Sequence, residues 1–321
     1  LTPANARRCM LCTDDREAAD ILANGHLNRS LRQCVAEGVD PLLAVTLGTL
    51  NAAECYRLHN KGAIAPGRDA DLAIVADLKD FEVTRVFTAG REVARNGQML
   101  SAPQDIDSDK VRHTVYLSKV TEASFRLPLR CGTVRAIGLI PNSVLTKNLT
   151  LTVNRDPNGD FDPRLNPGLN KLAVIERHRA SGRIGLGILE GYGLKNGALA
   201  VTVAHDSHNL VVAGDNDADM LAAVKDVKKI GGGFSLCGGG QVLANLPLPV
   251  AGLMSDRPAE EVAAALERLI ETARRELGLP DSFNPLMKLV FLTLPVIPEL
   301  KLTCNGLFDV SSFSLVDICK D

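Results

Sequence analysis

Before Lys61 the chain holds one strand-like run, Arg8–Cys12 (RCMLC), and three helical stretches follow it in succession. A lone strand has no partner for its backbone N–H and C=O groups, so these residues cannot close a sheet by themselves. From Arg16 to Val35, apolar side chains fall at Ile21, Leu22, Leu27, Leu31 and Val35, a helical spacing interrupted at Gly25. Asp40 and Pro41 then offer an N-cap and a first-turn residue to DPLLAVTLGTL, and Asn51 offers a cap to NAAECYRL. One strand trailed by three helices is the end of an α/β domain. With Leu rather than Met at position 1, the chain reads as a piece of something longer.

Its character changes at Lys61. DLAIVAD and VTRVFTA read as strands, and Ala89-Gly90 as the turn of a hairpin. This segment is too short to enclose a core, so its strands are expected to pair with others. Ser101–Asp109 (SAPQDIDSD) has the composition of a linker. Beyond it TVRAIGLI, TKNLTLTVN, NKLAVIERH, GRIGLGILEG and GALAVTVAH read as strands, and RDPNGDFDPRLNPG as a loop. DNDADMLAAVKDVKKIGG reads as a helix, and GFSLCGGGQVLANLPLPVAGLM as a further hairpin. SDRPAEEVAAALERLIETARRELGLP carries helix-start signals at Ser255 or Asp256 and Pro258, acids in its first turn and Gly278 at its end. Strand pairs mixed with helices define an α+β unit. The expected divisions are 1–58, 59–104 and 105–321.

Composition removes several kinds of function. The 12 aromatic residues include no Trp, and net charge is −2, with Lys and Arg scattered, so a stacking, basic nucleic-acid groove is not expected. LPLPVAGLM and LVFLTLPVIP are too short to span a bilayer and contain Pro, which argues against a membrane partner. No charged stretch leads into an apolar one at the N-terminus, so the sequons at Asn28 and Asn148 are expected to go unused. Eight widely spaced cysteines do not form a disulfide framework, and a reducing cytoplasmic setting follows.

Two places carry candidate chemistry. Asp14 stands where the first strand would end, the position at which parallel α/β barrels collect their reacting groups. A carboxylate there can bind a metal and exchange protons with water. Alternatively, Asp14 or Asp15 caps the helix that begins near Arg16. Cys9 and Cys12, three apart on a strand, point to opposite faces and cannot share one metal. The H-x-E and P-C-x-x-C pattern of cytidine-type zinc deaminases is absent from the sequence. The second place is AHDSHN, where His205, Asp206, Ser207, His208 and Asn209 follow a strand. It is either a ligand site or a polar loop satisfied within its own domain. The glycines of GRIGLGILEGYG are out of register for a dinucleotide fingerprint, and the GGG runs at Gly231 and Gly238 resemble hairpin turns. His26, His59, His113 and His178 are isolated.

GAIAPGRDADLAIV resembles the returning strand of the amidohydrolase superfamily, which belongs to a small β-sandwich built from both ends of a barrel domain. Together with LCTDD, GHLN, TLNAAE, GALAVTVAHDSHN, LPLPVAGLMSD and FLTLPVIPELKLT, the chain is similar to the bacterial adenine deaminases of that superfamily, over nearly its whole length. The resemblance implies the last strand and helices of a (β/α)8 barrel, part of a β-sandwich, and an α+β C-terminal domain particular to adenine deaminases. It implies hydrolysis of adenine to hypoxanthine and ammonia by a divalent transition metal (manganese, iron or zinc), bound as a binuclear centre in the complete enzyme.

In this resemblance Asp14 matches the aspartate at the end of barrel strand eight, a metal ligand and proton carrier. The family's His-x-His pair is absent from the sequence, so the other ligands belong to a missing N-terminal barrel segment, and the chain alone is expected to be inactive. His205, Asp206 and His208 are assigned to the substrate side of the site, and a homo-oligomer is expected. Two other readings stay open: an amidohydrolase acting on a different cyclic amine or amide, and a non-catalytic binding or scaffold fragment.

Overall fold

The computed structural model describes residues 1–2, 4–101 and 106–320. Backbone contacts divide it into two compact units, Leu1–Ile106 and Asp107–Asp321. Of the expected linker, residues 102–105 lie outside the described residues, while Asp109–Val111 form a 3-10 turn.

The first unit contains helices α1 (Ala18–Asn24), α2 (Leu27–Ala36), α3 (Pro41–Gly48) and α4 (Leu50–Cys55). Strands β1 (Leu72–Val75), β2 (Val83–Thr88), β3 (Arg91–Arg95) and β4 (Gln98–Met99) form one antiparallel meander. Asp40 caps α3 as expected, accepting the Leu43 N–H at 3.0 Å, with Pro41 behind it. The turn between β2 and β3 is Ala89-Gly90, with φ of 48° and 76°, the left-handed pair that matches the twist of two adjoining strands. These four strands pair with one another; no strand from elsewhere joins them among the described residues.

Two further expectations for this unit are overturned. Arg8–Cys12 is not a strand; Ala6–Arg8 form a 3-10 turn and the chain then runs on without a ladder. A parallel strand needs neighbours, and none pairs with it among the described residues. Asn51 is not a helix cap either. It sits inside α4, buried, and its amide donates to the carbonyls of Ala6 (2.9 Å) and Cys9 (2.7 Å). With the bond from Leu11 N–H to the Leu47 carbonyl, it satisfies backbone groups that a ladder would otherwise serve.

The second unit is built on an eight-stranded sheet of β5 (Thr133–Leu139), β6 (Thr146–Thr152), β7 (Leu169–Ile175), β8 (Ile184–Glu190), β9 (Ala198–Val201), β10 (Leu210–Gly214), β11 (Gly233–Gly238) and β12 (Gln241–Pro247). The spatial order is β12-β11-β9-β10-β7-β8-β5-β6, antiparallel throughout except where β5 runs parallel to β8. Helices α5 (Asp217–Lys229), α6 (Ala259–Leu277) and α7 (Pro285–Val290), and a small sheet of β13 (Leu300–Thr303), β14 (Gly306–Asp309) and β15 (Ser314–Leu315), complete it.

Both faces of the large sheet are covered, which is why β9 and β10 are apolar without a break and β7 is broken only at Asn170 and Lys171. On β7, Leu172 and Val174 join a core with Leu269 and Leu277 of α6 and Leu289 of α7. The alternate residues Ala173 and Ile175 join Met220, Val224 and Val227 of α5 on the opposite face.

The glycines of β8 also find their explanation here. A Cβ on Gly185 would lie 1.9 Å from the Thr303 carbonyl oxygen, so the small sheet can cross β8 only where side chains are absent. Gly239-Gly240 turn the β11–β12 hairpin as expected, but Gly231–Gly233 connect α5 to β11 and turn no hairpin. The N-cap of α6 is Pro258. Ser255 instead accepts the Arg257 N–H, and Asp256 pairs with Arg112 at 2.9 Å. The cysteines also depart from expectation. Cys131 and Cys319 form a disulfide that ties the start of β5 to the end of the chain, while Cys9, Cys12, Cys34, Cys55, Cys237 and Cys304 are free. No helix among the described residues is long and apolar enough to cross a membrane.

Candidate functional site

Asp14 lies in the irregular stretch between Leu11 and α1, exposed, with φ of 55°. That left-handed conformation is one that Asp tolerates better than most residues. Its Oδ1 accepts the Asp15 N–H at 2.8 Å. It is not the helix cap, because α1 starts at Ala18 and its N-cap is Glu17. On the same stretch Thr13 Oγ1 lies 3.5 Å from His26 Nε2. Among the described residues no three His, Cys, Asp or Glu side chains converge to hold a metal ion.

The AHDSHN loop is positioned by the end of the large sheet. β9 stops at Val201 and β10 starts at Leu210, so residues 202–209 bridge two neighbouring strands at the end where β7 also stops. The structure brings His205, Asp206 and His208 together. The ring of His205 stacks on Phe291 with centroids 4.7 Å apart, meets the ring of His208 edge-on at 5.9 Å, and has Nδ1 3.7 Å from Asp206 Oδ1. The His205 N–H donates to the Val290 carbonyl, and its own carbonyl accepts from Thr293 Oγ1 at 2.8 Å. His178 Nε2 donates to the Ser207 carbonyl at 2.7 Å.

His208 Nδ1 is buried and has no hydrogen-bond partner among the described residues. Burial, followed by the charges of His205 and Arg177, holds its pKa below the usual histidine range. The ring is therefore a neutral acceptor or donor near neutral pH, and an orphaned ring nitrogen is a place that a ligand can satisfy.

Sequence reading passed over the residue that holds this loop in place. Arg177, 1% exposed, has no carboxylate partner among the described residues. Its Nε donates to the His208 carbonyl at 2.5 Å, one terminal nitrogen to the Thr114 carbonyl at 3.2 Å, and the other to the Ala251 carbonyl at 3.1 Å. One guanidinium thus joins three loops. Gly252 lies against it so closely that a Cβ there would fall 2.9 Å from a guanidinium nitrogen. The Gly252 carbonyl accepts from Thr202 Oγ1 at 2.6 Å, which binds the LPLPVAGLM segment to the base of the AHDSHN loop. Beside it Glu176 is held down at about 2. Burial opposes its charge, but the N–H groups of Ser181, Arg179 and His178 and the Ser181 hydroxyl outweigh that. The available signal was a charged pair, Glu176-Arg177, placed directly after the apolar run Leu172–Ile175 that ends β7.

Comparison with known proteins gives these units a class. The model of the amidohydrolase family matches residues 3–93. A second model, described as the adenine deaminase C-terminal domain, matches residues 143–314, more than half of the chain. The chain belongs to this adenine deaminase C-terminal domain family. Similar proteins include the adenine deaminase of Nitratidesulfovibrio vulgaris, 56% identical over 99% of this chain and 55% of that protein. Adenine deaminase 2 of Carboxydothermus hydrogenoformans is 46% identical over 98% of this chain and 55% of its own length. The adenine deaminase of Clostridium acetobutylicum is 43% identical over 97% and 55%. The chain spans about half the length of the curated relatives it matches.

Proposed function

We propose that this chain is the C-terminal portion of a metal-dependent adenine deaminase, which hydrolyses adenine to hypoxanthine and ammonia in the cytoplasm as a homo-oligomer. The observation that carries this reading is 56% identity sustained over 99% of the chain to a protein named adenine deaminase. The order of the two family models, amidohydrolase first and adenine deaminase C-terminal domain second, supports it. In this reading the first unit is the end of a (β/α)8 barrel with part of its β-sandwich.

Amidohydrolases as a family use a divalent metal; manganese, iron or zinc in a binuclear centre is our reading for the complete enzyme. The residues of this chain do not fit such a centre by themselves, since no three potential ligands converge among the described residues. We therefore assign the other ligands to the missing N-terminal barrel segment and route no step through a metal. The role assigned to Asp14 rests on its own chemistry. Attack at C6 requires a proton to leave water, and departure of ammonia requires a proton on the leaving nitrogen; one carboxylate can make both transfers. His205, Asp206 and His208 are assigned to purine recognition, with the orphaned Nδ1 of His208 as the group awaiting a partner.

Ammonia release from adenine by the intact encoded polypeptide tests the assignment. Asp14→Asn should lower kcat by a factor of about 10² or more, as loss of a general acid–base group does. Unchanged turnover removes Asp14 from the mechanism. His205→Ala and His208→Ala should raise KM for adenine; if turnover, KM and melting temperature all stay as in the wild type, the loop has no part in the site. The 321-residue chain alone should release no ammonia.

A further inference from the structure

Two lysines of the second unit are buried with no counter-ion among the described residues. Lys288, on α7, is 8% exposed, and Lys301, on β13, is 0% exposed. Among the described residues neither forms an ion pair. Lys288 Nζ donates to the carbonyls of Ile140 (2.6 Å) and Ser143 (2.5 Å), and Lys301 Nζ to the carbonyl of Val144 (2.9 Å). Both ammonium groups thus grip the single turn that joins β5 to β6. Burial lowers the pKa of each, and the charge of Lys288 lowers that of Lys301 further. Two buried like charges that meet only carbonyl acceptors on the same turn are costly, and an anion supplied from outside would offset that cost.

A cavity of about 260 Å³ lies at this place. One wall is the lysine-held turn and the other is α7 with the residues flanking it. Leu139, Val144, Phe283, Met287 and Phe291 make most of its surface apolar, and Lys288 brings a positive charge to it. The ammonium of Lys288 stands 5.6 Å from the centroid of Phe283, which sets the charge at the cavity wall. Val144 and Leu145 also line the cavity and are 44% and 46% exposed, so apolar surface continues out to solvent.

We propose that this cavity is a binding site for a small organic carboxylate. The carboxylate meets Lys288, with the charge of Lys301 behind it, and the apolar body of the ligand lies between Phe283 and Phe291. An inorganic anion suits the site poorly, because its hydration shell would be replaced mainly by hydrocarbon. A neutral ligand would leave both ammonium groups without a counter-charge. The inference is independent of the deaminase reading. It has one physical link to the loop discussed above, since Phe291 carries the ring of His205.

Calorimetric titration of the wild-type chain with benzoate, benzamide and inorganic phosphate tests the proposal, with lysine side-chain NMR to locate the binding. Benzoate should bind at least about tenfold more tightly than its neutral isostere benzamide, as a charge-assisted contact implies. It should also outcompete phosphate and shift the Lys288 resonance. Lys288→Met should abolish the preference for benzoate over benzamide. The ligand series on the wild type decides the question even if that variant does not fold. Equal binding of benzamide, tighter binding of phosphate, an unmoved Lys288 resonance, or no saturable benzoate binding at roughly 10 mM, tenfold above a millimolar Kd, would each overturn it.

Discussion

Lys301→Met yields a stability difference whose size follows from the structure. The ammonium of Lys301 is fully buried on β13, and its pKa is pushed down to about 8 from the ordinary 10.5, first by burial and second by the charge of Lys288. Between these two values the unfolded chain still holds a proton that the native chain has released. The native state therefore gains stability as pH rises from about 8 to 10.5, and the penalty is complete below that window. A gap of about 2.5 pH units, at about 1.4 kcal/mol for each, amounts to about 3 kcal/mol. Methionine keeps the apolar stem and cannot be charged, but it abandons the Val144 carbonyl at a cost of about 1–3 kcal/mol. At pH 7 the two effects should nearly cancel or leave the variant slightly more stable. At pH 10.5 the variant should be the less stable by the cost of the orphaned carbonyl. Urea unfolding of both proteins at the two pH values measures this, and other lysines and tyrosines cancel in the comparison. The wild-type-minus-variant stability should increase by about 3 kcal/mol on going to pH 10.5. A change below about 1 kcal/mol, or one of opposite sign, refutes the argument that burial governs this group.

Other consequences can be checked separately. Thiol alkylation of the denatured chain should modify six cysteines before reduction and eight after it, because Cys131 and Cys319 are joined; modification of all eight without reduction would show the pair to be open. Reducing that bond should lower stability by about 2–4 kcal/mol, since it closes a loop between residues 188 apart. Gly185→Ala should cost about 3 kcal/mol or more in chemical denaturation, because the new methyl meets backbone at Thr303 and not a movable side chain; a loss under about 1 kcal/mol would mean that the small sheet is free to shift. Arg177→Met should destabilise the second unit by about 2–4 kcal/mol, as three buried carbonyls lose their donor while one desolvated charge is removed, and unchanged unfolding would show that those loops hold themselves.

Much of the second unit was legible because its strands and helices are locally consistent. The spacing of Met220, Leu221, Val224 and Val227 along α5, Gly278 at the end of α6 and the glycines of the β11–β12 hairpin act within a few residues of the elements they shape, so spacing sufficed there. The failures were of another kind. Arg8–Cys12 has strand composition, but strand formation depends on a partner, and no strand among the described residues pairs with it. Asn51 looked like a cap because it precedes apolar residues; its amide instead serves carbonyls more than forty residues away. Cys131 and Cys319 could not be matched from spacing, since the final strands must fold back before the sulfurs meet. The candidate site divides in the same way. The histidines of AHDSHN announce themselves as a local cluster, whereas Arg177, Lys288 and Lys301 matter through carbonyls distant in sequence, and a single letter amid apolar neighbours does not say whether its charge is buried.

The three carbonyls on Arg177 belong to loops that enter the structure from widely separated parts of the sequence. Its own backbone extends the same tie, for its carbonyl accepts the Tyr116 N–H at 2.8 Å and its N–H donates to Asn209 Oδ1. Solvent therefore cannot enter at one of these loops without weakening the hold on the others. Amide exchange at Tyr116, His208 and Ala251 should follow a common opening rate, and an insertion tolerated in one loop should be felt as faster exchange in the remaining two.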